Sequence, residues 1–256
     1  LGLIVVLITA LGGWRGSILA MRNRRVWIML IGSTLMIATN WLTFIYAIQE
    51  DKLLDASVGY FLAPLVNVLL GVMCLSERLR RGQIVALLLA TAGVTVLTID
   101  RGVFPWIALV LAGSFGMYGL LRKLVPVGPL IGLGIETALL APVALAIVLS
   151  PGTFGQDVPP MTAGTLGLLS LAGIITATPL LLFADAARKL RMATIGFLQY
   201  IGPTVQFVIA VAIFKEPFSN VQLYSFILIW CAVITYSLDS LAAHRASQPR
   251  TIEPGG

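Results

Sequence analysis

Polar residues interrupt this chain only at intervals, and between the interruptions apolar positions run on without leaving a polar face. The apolar runs are Leu1–Trp14, Val26–Gln49, Leu53–Ser76, Gly82–Ile99, Phe104–Leu121, Gly128–Ser150, Thr162–Phe183, Met192–Phe214 and Asn220–Ser240. Apolar runs of about 17 to 25 residues cross a ~30 Å hydrocarbon core as helices. The pattern therefore predicts an all-α integral membrane bundle of about nine transmembrane helices. Leu1–Trp14 is too short to span, and its charges, Arg15, Arg22, Arg24 and Arg25, follow it, whereas a signal peptide carries them in front. It is read as the remainder of a spanning helix whose start lies outside this sequence.

The pattern also repeats. A shift of 139 positions lays Phe61-Leu-Ala-Pro-Leu-Val-Asn67 over Tyr200-Ile-Gly-Pro-Thr-Val-Gln206, and the register continues to Glu77 over Glu216 and Gln83 over Gln222. A long period of this kind means two copies of one structural unit. We set the first copy at 1–101, the second at 102–241 and a tail at 242–256. The second copy has five helices and the first only four, so a first helix of a ten-helix plan is expected upstream.

Composition agrees with a membrane protein: 58% of residues are hydrophobic and 11% charged, against roughly a quarter charged in soluble domains. The net charge of +6 resides in loops, which removes the need for a nucleic-acid partner. Fourteen of the seventeen basic residues fall in alternate loops and the C-terminal tail: Arg15 to Arg25, Arg78 to Arg81, Arg122 and Lys123, Arg188 to Arg191, and Arg245 with Arg250. Cytoplasmic loops collect Lys and Arg, so these segments and the C-terminus are expected inside. That assignment puts Ser76-Glu-Arg-Leu-Arg-Arg81 and its repeat mate Lys215-Glu-Pro-Phe-Ser-Asn220 on opposite sides of the membrane. Five crossings per unit produce the same inversion, so the copies are expected to be inverted-topology repeats.

An apolar helix with a central proline, a Gly- and Ala-rich continuation, a terminal Glu and a further apolar helix resembles the EamA repeat of the drug/metabolite transporter superfamily. Here it reads Ser57 through Pro64 and Glu77 to Gly93, and again Ile195 through Pro203 to Glu216. Asn40-Trp41, Tyr60-Phe-Leu-Ala-Pro-Leu-Val-Asn67, Ser76-Glu-Arg-Leu79 and Gln199-Tyr-Ile-Gly-Pro203 resemble the RarD-type permeases of the bacterial inner membrane. The similarity covers nearly the whole chain. It implies a secondary carrier of small organic metabolites or drugs that works by alternating access, without a cofactor.

Polar groups within hydrocarbon are costly unless they face a cavity or a partner helix, so each is a candidate. Glu136 is the deepest acid, beside Thr137 and ahead of Pro142. Burial in hydrocarbon favours a protonated carboxyl, which makes Glu136 the candidate proton-coupling residue. The alternative is a structural acid paired with a neighbouring hydroxyl or with Arg122 or Lys123. Asn40 and Trp41 lie mid-helix, where an amide and an indole hold and stack a polar solute, or else bond between helices. Tyr60, Pro64 and Asn67 share one helical face, as do Gln199, Pro203 and Gln206. Each proline frees a backbone carbonyl one turn earlier, so both are candidate kinks beside a solute path; kinked packing helices give the same pattern. Asn67 and Gln206 are expected to approach each other across a shared cavity. Tyr118, Gln199 and Tyr200 complete the candidate lining. Glu77 and Glu216 are read chiefly as capping or surface acids.

Other chemistries find little support. No glycine loop ends in Lys-Ser or Lys-Thr to hold phosphates. The one histidine, His244, lies in the tail, so neither a His-based triad nor a zinc site assembles and no metal is expected. Cys74 and Cys231 sit within separate helices and imply no disulfide framework. A membrane enzyme on lipid-linked substrates needs acids and histidines clustered at one interface, and a sensor or scaffold needs docking loops. This chain has neither.

Overall fold

A computed structural model describes residues 2–10, 22–101, 105–149, 162–212 and 219–247. Among them every regular element is an α-helix: α1 (Gly2–Ala10), α2 (Arg24–Gln49), α3 (Leu53–Leu75), α4 (Arg81–Arg101), α5 (Trp106–Leu124), α6 (Pro129–Leu149), α7 (Ala163–Lys189), α8 (Met192–Gln199), α9 (Ile201–Ala212) and α10 (Asn220–Ser247). Seven of these, α2 to α7 and α10, are long and apolar enough to cross a membrane. The chain is a multi-pass helical membrane protein. Helices α8 and α9 are two halves of one apolar run, interrupted at Tyr200. Pro203 explains the interruption, since it has no N–H to return to Gln199; the Tyr200 N–H turns to the Phe197 carbonyl instead, at 3.3 Å. In α3 the helix runs on through Pro64. Expected features at Trp14, Lys215, Glu216 and 156–160, and the end of the tail beyond Ser247, lie outside the described residues.

Helix starts recur at the sequence period. Arg24, Leu53 and Arg81 begin α2, α3 and α4, and Ala163, Met192 and Asn220, each 139 positions on, begin α7, α8 and α10. The matched glutamines account for one of these coincidences. Gln83 accepts the Arg80 N–H at 3.0 Å and Gln222 accepts the Ser219 N–H at 2.8 Å, each closing the first turn of its helix from the third position. Ser219 completes the second box by accepting the Gln222 N–H at 3.2 Å.

The helices gather into two compact units, and each draws on both halves of the sequence. Unit 1 comprises 1–46 and 113–191; unit 2 comprises 47–112 and 192–256. In unit 1, Ile4 and Ile8 of α1 pack on Leu133 of α6, and Val26 and Leu30 of α2 pack with Val125, Val127 and Ile135. A Cβ at Gly134 would come within 2.7 Å of Ile8 Cδ1, the outer end of a side chain. In unit 2, Ala86, Ala90 and Val94 of α4 pack with Ile229, Ala232 and Tyr236 of α10. At their crossing a Cβ on Gly93 would stand 2.9 Å from the Ser225 carbonyl.

Electrostatics tie helix ends together within unit 2. Glu77 follows the left-handed Ser76 (φ 53°) at the end of α3. Its two carboxylate oxygens accept the N–H groups of Met192 and Ala193, at 2.8 and 3.1 Å, at the start of α8. A carboxylate at a helix N-terminus satisfies orphan donors and meets the positive end of the dipole. Arg80 at the head of α4 pairs with Asp239 of α10 at 2.6 Å.

Candidate functional site

Three helices of unit 1 build a buried polar cluster around Glu136, which is 2% exposed. Ser33 of α2 donates its hydroxyl to Oε1 at 2.5 Å, and Tyr118 of α5 donates to Oε2 at 3.4 Å. Arg122, one helical turn beyond Tyr118 and so on the same face, is fully buried and places Nη1 3.7 Å from Oε1. Its Nη2 donates to the Pro129 carbonyl at 3.1 Å, while Nε and Nη1 find no hydrogen-bond partner. Phe183 of α7 stacks on Tyr118 with ring centroids 6.1 Å apart.

Gly132 makes the cluster possible. It lies one turn before Glu136, and a Cβ there would collide with the Arg122 guanidinium. The hydrogen of glycine leaves the space that the cation fills.

Beside the cluster lies a cavity of about 1000 Å³, walled by α1, α2, α6 and α7 and lined by Ile37, Trp41, Leu133, Glu136, Leu140 and Leu180 among others. Among the described lining residues Glu136 is the one ionisable group and Trp41 the one aromatic. Trp41 is 47% exposed. Asn40 turns away from it to donate its amide to Ser114 Oγ at 3.1 Å, bonding α2 to α5. Tyr118 stands behind Glu136, fully buried, and not on the cavity wall.

A second polar group lies in unit 2. Asn67 is fully buried on α3 and donates to Gln199 Oε1 on α8 at 2.6 Å, while its own carbonyl oxygen has no partner. Tyr200, also buried, donates its hydroxyl to the Phe61 carbonyl at 3.3 Å across the 139-residue spacing. Pro64 presents its carbonyl to Gly196, where a Cβ would stand 2.5 Å from it. Tyr60 is 45% exposed. The amide facing Asn67 thus belongs to Gln199; the side chain of Gln206 lies outside the described residues.

Relatives place this architecture. No protein-family model matches the chain. It is 43% identical to Protein RarD of Escherichia coli over 222 residues, which are 85% of this chain and 74% of that one. It is 39% identical to the uncharacterized transporter YojE of Bacillus subtilis over 92% of this chain and 78% of that one. An uncharacterized transporter of Vibrio cholerae is 40% identical over 96% of this chain and 82% of its own. The chain belongs to the RarD family of membrane transporters. A solved crystal structure of a protein 20% identical in sequence superposes with a TM-score of 0.68, over 96% of this chain and 85% of that one, and shows the same fold.

In this RarD-family chain the structure supplies residues that sequence reasoning passed over. Ser33 is one apolar-run serine among many, whereas Arg122, which the charge pattern counts as a loop cation, is one of the two basic partners weighed for Glu136 in the sequence. It is buried instead, because α5 continues to Leu124 and carries it inward. Its spacing from Tyr118 was the available signal. Gly132 belongs to a Gly-xxx-Gly pair too common to single out. Lys123, the adjacent cation, donates to the carbonyls of Ala187 at 3.1 Å and of Leu190, at the end of α7.

Proposed function

We propose that this chain is a secondary permease, and not an enzyme, that moves small organic metabolites or drugs across the bacterial inner membrane by alternating access. The observation that carries the reading is the unit 1 cavity with its one ionisable lining residue. Its volume is that of a site for a small organic molecule. Its lining is apolar except for a few polar groups, which is the arrangement that orients a solute without binding it irreversibly. Membership of the RarD family supports transport as the activity.

The same reading assigns roles. Trp41 stacks on the solute and Asn40 holds the Trp41 turn of α2 to α5. Tyr118 supports Glu136. Glu136 couples transport to protons by alternating between the Arg122-paired carboxylate and the protonated acid. In unit 2, Tyr60, Asn67, Gln199, Tyr200 and Gln206 are proposed as solute-binding residues, with Pro64 and Pro203 as the points at which the helices bend. The C-terminus faces the cytoplasm. A solute-uptake screen in proteoliposomes with an imposed pH gradient tests the proposal: accumulation of at least one organic solute that collapses with the gradient is expected. Uptake that ignores the gradient for every solute removes the proton from the mechanism.

A further inference from the structure

The cavity wall presents a carboxylate that already has its counter-ion. Arg122 is fully buried behind Glu136, held in the space that Gly132 leaves, with Nη1 3.7 Å from Oε1. Carboxylate and guanidinium cancel, and no other ionisable side chain lines the cavity among the described residues. A charged solute entering such a site loses hydration and finds no net opposite charge in return. The remaining polar groups are neutral. Thr137 donates its proton to the Leu133 carbonyl and Ser170 donates to the Leu166 carbonyl, each at 2.8 Å. These hydroxyls and Glu136 offer a solute acceptor oxygen, while the Trp41 indole N–H and the Thr176 hydroxyl on the same wall can donate. The rest of the surface is aliphatic, with the Trp41 indole as its aromatic patch.

We propose that this cavity selects uncharged solutes with an apolar body, and that Arg122 sets that selectivity by neutralising Glu136. The inference rests on the reading of the cavity as the transport site. Arg122 touches no solute itself; it acts through the carboxylate.

The test uses probes with one shared body: phenylacetamide as the neutral amide, phenethylammonium as the cation and phenylacetate as the anion. Their dissociation constants come from the thermal stabilisation of the purified full-length chain. Wild type is expected to bind phenylacetamide about tenfold more tightly than either ion, the scale of one unpaired charge at intermediate dielectric after solvent screening. Arg122→Gln shifts the preference to phenethylammonium and Glu136→Gln shifts it to phenylacetate. The double variant restores the preference for the amide. It leaves no buried charge unpaired, so it remains informative if either single variant fails to fold. A ranking that stays the same through all the variants, or a wild type that prefers an ion, overturns the role of Arg122. Failure of phenylacetamide to bind wild type also overturns the inference. If Ala141→Trp, which fills the cavity, nevertheless stops uptake in proteoliposomes, the reading of the cavity as the transport site survives that failure.

Discussion

At the scale of single residues, one position that shapes the buried cluster has no side chain. Gly132 yields its Cβ volume to the Arg122 guanidinium, and that cation in turn neutralises Glu136. Gly132→Ala must therefore push Arg122 from its seat and leave a buried carboxylate without its partner, which typically costs about 3 kcal/mol or more. A matching fall in the melting temperature of the detergent-solubilised protein is expected, and a variant that melts with wild type would show that Arg122 has another place to go. Glu136 carries the sharper functional expectation. Glu136→Gln should retain counterflow of the solutes it still binds, which needs no net proton movement, and lose accumulation driven by a pH gradient, while Glu136→Asp keeps part of it. Gradient-driven uptake by the Gln variant equal to wild type between about pH 5 and pH 8, the range around neutrality in which a coupled carboxyl must exchange its proton, would make Glu136 structural. That Glu136 is the acid to examine is evident from its depth in an apolar run. That Arg122 rather than Lys123 is its partner is not, because both charges lie side by side at the end of the preceding apolar run, where a loop is the ordinary reading.

Helix ends are where the elements of this chain are decided. Gln83 and Gln222 stand 139 residues apart and do the same work, each reaching back to the N–H that precedes its helix. Gln83→Ala and Gln222→Ala should each cost about 0.5 to 1 kcal/mol, the scale of a lost helix cap. The two helices share no cap, so the double variant should show the sum in a denaturation series. Glu77 joins two elements instead of closing its own. Glu77→Ala leaves the Met192 and Ala193 N–H groups without their carboxylate, at about 1 to 3 kcal/mol for the two orphaned donors. Amide hydrogen exchange at these two residues is expected to accelerate in the variant while the amides of α6 in unit 1 keep their protection. Unchanged exchange at Met192 and Ala193 would mean that the start of α8 is held by other contacts. The matched glutamines are visible in the sequence as a repeat, whereas the target of Glu77 is not, since 115 residues separate it from Met192.

For the whole molecule, orientation is the property that charge decides. Setting aside the buried Arg122, the basic residues still crowd into alternate loops and the tail, and positively charged segments resist translocation. A reporter active only outside the cytoplasm should therefore be silent when fused after Leu241 or within Arg78–Arg81 and active within 156–160; activity after Leu241 inverts the assignment. Hydrophobic run length by itself determined that this chain spans a membrane many times, because a backbone in hydrocarbon has few other ways to satisfy its N–H and C=O groups than to remain helical. The 139-residue period, read from the same letters, anticipated where α7, α8 and α10 begin once α2, α3 and α4 are placed. Only the tertiary structure decided which helices gather together. Units 1 and 2 each take helices from both halves of the chain, and nothing in the order of residues announces it. The physical reason is the solvent. In water a helix displays an apolar stripe that names its buried face, but helices apolar on every side carry no such stripe. In lipid they choose partners by shape, at sites such as Gly93 against Ser225 and Gly196 against Pro64, and by single polar contacts such as Ser33 to Glu136 and Asn67 to Gln199. Such contacts pair residues far apart in sequence, so they come into being only when the chain has folded.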